Sequence, residues 1–206
     1  MLVFPIIATL VALGCAGVVA RDYIARPKPD KVAWLIAFVM FAGAAGLEVG
    51  GALAHWTPLM ARVYYALGAV LVVGYLALGE LYLLFPARRD LVDRAAGGLV
   101  ALTALGISLV YRAPLDAGVS EHGWHALRPG AGLLVLTIGI NTVGTLILVG
   151  GLLYSAWRFR QRHTFRNRTL GCLLIAIGTL AVASGGTLTR LGSDQLLTSR
   201  WRSAWR

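Results

Sequence analysis

Six apolar stretches, each close to the length of a bilayer-spanning helix, constrain this chain more than any other feature. They run from about Leu2 to Ala20, Val32 to Ala54, Ala61 to Phe85, Ala95 to Tyr111, Gly132 to Trp157 and Leu170 to Leu188. A helix rises about 1.5 Å per residue, so roughly 20 apolar residues cross about 30 Å of hydrocarbon. Only 14% of the 206 residues are charged, against about 25% in an ordinary soluble domain. The predicted fold is therefore all-α, a polytopic transmembrane helix bundle of about six helices over residues 1–192. Residues 193–206 form a basic tail, too short and too charged to span.

The polar connections orient the bundle. Arg21, Arg26, Lys28 and Lys31 fall between the first two segments, and Arg88, Arg89 and Arg94 between the third and fourth. Arg158, Arg160, Arg162, Arg166 and Arg168 follow the fifth. The alternate connections hold only Arg62, then Arg112 and Arg128 offset by Asp116 and Glu121. The positive-inside rule then puts both termini outside the cytoplasm. Cations at the ends of apolar segments point to anionic lipid headgroups as their partners, so the net charge of +10 is not a nucleic-acid signal. The first segment lacks a basic run before it and carries Pro5, which favours a spanning helix over a signal peptide. Ala12-Leu13-Gly14-Cys15 has its leucine one place off a lipoprotein box. Cys15 and Cys172 both lie in apolar segments and are expected to pack as small residues.

Sliding the chain by about 135 residues sets Gly43 on Gly178 and Gly50-Gly51 on Gly185-Gly186. Such an offset describes two parallel halves around a linking helix. Three groups of residues carry a further likeness: Arg26-Pro27-Lys28 leading into Lys31-Val32-Ala33-Trp34, Tyr64-Tyr65-Ala66-Leu67-Gly68 with Leu76-Ala77-Leu78-Gly79, and Ser184-Gly185-Gly186-Thr187-Leu188 before Arg190-Leu191-Gly192. In these the chain resembles an uncharacterised family of bacterial multi-pass membrane proteins of about seven helices with no assigned activity. The resemblance implies a fold and supplies no chemistry. The chain departs from it after Asp194, where the last helix is missing, so the parallel-repeat bundle would lack its seventh member.

Cofactor sites find no support in the residue pattern. His55, His122, His125 and His163 fall in loops or at helix ends, which excludes a haem held inside the bundle. Lys28 and Lys31 are the only lysines and lie in the first basic loop, where neither forms a retinal Schiff base. No phosphate-cradling loop, zincin histidine pair or nucleophile elbow is present. No cofactor is expected, and an enzyme is the least favoured class.

Intramembrane polar residues carry what functional signal remains. A carboxylate inside a spanning segment costs roughly 2.5–3.5 kcal/mol on insertion scales and usually faces a partner or a wet cavity. Glu48 lies about 9 Å inside the non-basic end of the second segment. It is expected to face the interior and to meet Arg62, Arg190 or a polar group of the fifth or sixth helix. Glu80, one to two turns from Arg88, is expected to snorkel to the headgroups. Asn141, Thr142 and Thr145 form a polar patch in the fifth segment, and Ser184 and Thr187 one in the sixth. Such groups hydrogen-bond neighbouring helices at about 0.6 kcal/mol each. Gly46 with Gly50, and Gly171, Gly178 and Gly185, mark close-packed faces. Glu121, His122 and His125 would share a metal only if their loop were helical, which Gly123 and Pro129 weaken. In the tail, Trp201 and Trp205 beside Arg200, Arg202 and Arg206 suit an interfacial helix.

Two function classes fit. One is a non-enzymatic accessory or scaffold subunit that packs against other membrane helices, from a partner protein or a second copy. The other is a small carrier or channel with a polar path near Glu48 and Asn141. A dry bundle favours the first, and a wet cavity at mid-membrane reaching Glu48 favours the second.

Overall fold

The computed structural model describes residues 2–161. The sixth apolar segment with Cys172, Ser184, Thr187 and Arg190, the 193–206 tail and the repeat glycines Gly178 and Gly185-Gly186 lie outside the described residues. The architecture is all-α. Five helices are long and apolar enough to cross a membrane, ending at Ala25, Ala54, Leu84, Arg112 and, for the spanning part of the last, Ser155.

In chain order these are α1 (Val3–Ala25) and α2 (Pro29–Ala54), then a third span built from α3 (Pro58–Tyr64), a π-helical stretch (Tyr65–Leu71) and α4 (Val72–Leu84). A 3-10 turn (Pro86–Arg88) leads into α5 (Arg89–Arg112), and a loop holding the short α6 (Val119–His122) leads to α7 (Ala131–Gln161). Pro29 and Pro58 open α2 and α3, where a missing N–H and a fixed φ cost nothing. Thr57 caps α3 by accepting from the Met60 amide at 3.2 Å. His55 ends α2 at φ 66° and turns the chain back toward the bundle.

The basic connections are shorter than the sequence suggests. The helix α1 runs on through Arg21 and Asp22, so only Arg26–Lys28 separates it from α2. The helix α5 begins at Arg89 rather than near Ala95. Charge marks where a segment leaves the hydrocarbon, whereas the helix continues into the headgroup zone because long side chains reach water from its end. Local pairs hold these ends. Lys31 joins Asp22 at 2.8 Å. The Tyr82 hydroxyl donates to Asp93 at 2.6 Å.

The core centres on the π-helical stretch. Tyr65, Ala66, Val70 and Leu71 are buried with Ala37 of α2, Tyr75 of α4, Val110 of α5 and Leu133 and Ile140 of α7. Close approach comes from small residues. Trp34 of α2 lies so tightly over Gly79 that an added Cβ would sit 2.1 Å from its ring, and it donates from Nε1 to the Leu76 carbonyl at 3.3 Å. The helix α5 meets the bundle along one stripe. Val92, Gly106 and Val110 are buried and Ala96, Leu99 and Thr103 half-buried, while Leu91, Val100 and Ile107 stay exposed. In α1 only Ala12 and Ala16 are buried. The apolar remainder of these two helices suits lipid.

The chain divides into two compact units, Met1–Ile147 and Leu148–Arg206. The described part of the second is the end of α7, Leu148–Gln161, where the Tyr154 and Trp157 rings lie 6.1 Å apart.

Candidate functional site

The strongest concentration of polar and aromatic groups lies at the non-basic end of the first unit. The α2–α3 turn delivers Trp56, the second turn of α3 delivers Arg62 and Tyr64, and the loop after α5 delivers Glu121 to His125. That loop is pinned by a backbone bridge between Leu115 and Leu127 and by the Arg128–Asp116 ion pair at 2.8 Å. Gly123 takes φ +60°, and an added Cβ there would sit 2.9 Å from the Trp56 ring. Trp56 also lies against Gly51, where an added Cβ would be 2.3 Å away. Two glycines thus clamp one indole between α2 and the loop.

From Trp56 an aromatic stack extends into the loop. Trp56 meets Tyr64 edge-on with centroids 5.6 Å apart. Tyr64 stacks on Trp124 at 5.5 Å, and Trp124 on His125 at 3.8 Å. Beside it opens a pocket of about 280 Å³, lined by Leu2 just before α1, Pro5 of α1, Glu48 and Ala52 of α2, Trp56, and the loop residues from Glu121 to His125. Tyr64 stands beside the Glu48 side chain.

Glu48 is therefore half-buried in this end pocket. Its expected partner Arg62 is engaged elsewhere: Nη1 donates to the carbonyls of Val110, at 3.1 Å, and Tyr111, with the guanidinium 5.7 Å over the Tyr111 ring. The ion pairs among the described residues, Lys31–Asp22, Arg89–Asp93 and Arg128–Asp116, include neither Glu48 nor Arg62. The last carbonyls of a helix lack intrahelical donors and carry the negative end of its dipole, which draws the guanidinium to α5. Arg190, the other expected partner, lies outside the described residues.

Glu80 does not snorkel. It is 3% exposed, and its Oε1 has no hydrogen-bond partner among the described residues. The α2 face packs over α4 at this level, with Trp34 across the neighbouring Gly79. Asn141 is a tie between helices: Nδ2 donates to Ala69 at 2.7 Å and to Thr137 at 2.8 Å. Ala69 lies in the π-helical stretch, where the widened turn offers its carbonyl to a side chain. Thr145, one turn on, is half-buried. The structure thus brings Glu48 together with Glu121, His122 and His125, and leaves Asn141 and Glu80 on other parts of the bundle.

His122 bonds the Gly118 carbonyl through Nδ1 at 3.1 Å, within a single turn of helix that stops at Gly123. Among the described residues no three His, Cys, Asp or Glu side chains converge to hold a metal ion. The aromatic stack was not anticipated. Its signal was the concentration of Trp56, Tyr64 and Trp124 at the weakly charged end, as in an interfacial aromatic belt.

A second concave feature lies among the spans. A groove of about 500 Å³ runs between α4, α5 and α7, lined by residues such as Gly74, Ala77, Gly98, Leu99, Gly139 and Ile140. Comparison with known protein families, curated proteins and solved structures finds no match to this chain.

Proposed function

We propose that the chain is a non-enzymatic integral membrane protein, an accessory or scaffold subunit that packs against a transmembrane helix of another membrane protein. The groove between α4, α5 and α7 carries this reading. Its lining is apolar, and an added Cβ at Gly98 or Gly139 would meet nothing within 4 Å among the described residues. Small residues allow close backbone approach, the main source of helix association where lipid removes the hydrophobic drive.

A carrier would need Glu48 and Asn141 on one polar path. The Asn141 amide is instead held by two backbone carbonyls, and among the described residues no charged side chain lines the groove. The charge pattern supports a topology with the α1–α2 and α4–α5 connections in the cytoplasm, beside anionic headgroups, and with both termini outside. The resemblance stated above supports a bacterial inner membrane as the location.

The test places a photo-crosslinking amino acid at Gly98 or Gly139 in native membranes. A cross-link to one copurifying membrane polypeptide, lost in Gly98→Leu protein that keeps its helicity, is the expected result. Cross-links to lipid alone, or closing within the same chain, would overturn the proposal.

A further inference from the structure

We draw no further inference here: the strongest candidate, the buried carboxylate of Glu80 in the cytoplasmic half of α4, has one oxygen without a partner among the described residues but lines neither the groove between α4, α5 and α7 nor the end pocket, so nothing in the structure shows what would meet it.

Discussion

At the residue scale, two basic side chains, Lys31 and Arg62, serve as helix caps. Lys31, 8% exposed, donates to the Asp22 and Arg26 carbonyls at 3.0 and 2.8 Å and so closes the end of α1. Arg62 does the same for α5. A hydrogen bond to a charged group contributes about 1.5–3 kcal/mol, so Arg62→Met is expected to lower stability by about that amount in reversible unfolding from mild detergent. Arg62→Lys should recover only part, because an ammonium keeps the charge but lacks the planar guanidinium that lies over the Tyr111 ring. Glu80 points the other way. Its buried carboxylate has one oxygen without a partner among the described residues, and a buried charge without full compensation is destabilising. Glu80→Gln is expected to raise the midpoint of thermal unfolding. A lower midpoint would show that the carboxylate has a counter-charge.

At the scale of elements, glycine positions divide by what stands over them. Gly144 packs on the third span, where an added Cβ would lie 2.8 Å from a Val73 side-chain carbon and 3.1 Å from its carbonyl oxygen. Backbone cannot yield as a side-chain tip can, so Gly144→Ala is expected to cost about 1–3 kcal/mol, as overpacking does. Gly97 has open space over it among the described residues. There Gly97→Ala is expected to stabilise by up to about 1 kcal/mol through helix propensity. Equal effects at both sites in detergent unfolding would contradict the packing described. The Asn141 tie contributes less. Asn141→Leu is expected to cost about 0.6 kcal/mol, the average for interhelical hydrogen bonds in membranes.

At the scale of the molecule, helix order sets the ends of the bundle. The α1–α2 and α4–α5 connections lie at one end, and the α2–α3 turn and the α5–α7 loop at the other. A single cysteine at Lys28 is expected to be shielded from impermeant reagents in intact cells, and one at Asp116 to be labelled. The reverse pattern would invert the proposed topology while leaving the fold intact.

Hydropathy and charge alone made the bundle and its spans legible, because a roughly 20-residue apolar helix is long enough to cross the hydrocarbon by itself. Helix ends were less legible: Arg21 and Asp22 read as loop yet stay helical, since charge reports depth rather than backbone conformation. Which polar groups meet was decided only by tertiary structure. Glu48 and Arg62 share an end of the bundle, but the open carbonyls of α5 took the arginine, and the loop brought Glu121 and Trp124 to the glutamate instead. The π turn under Asn141 and the burial of Glu80 have the same origin. Each depends on how neighbouring helices rotate and approach, and in lipid that is set by close packing between spans distant in sequence.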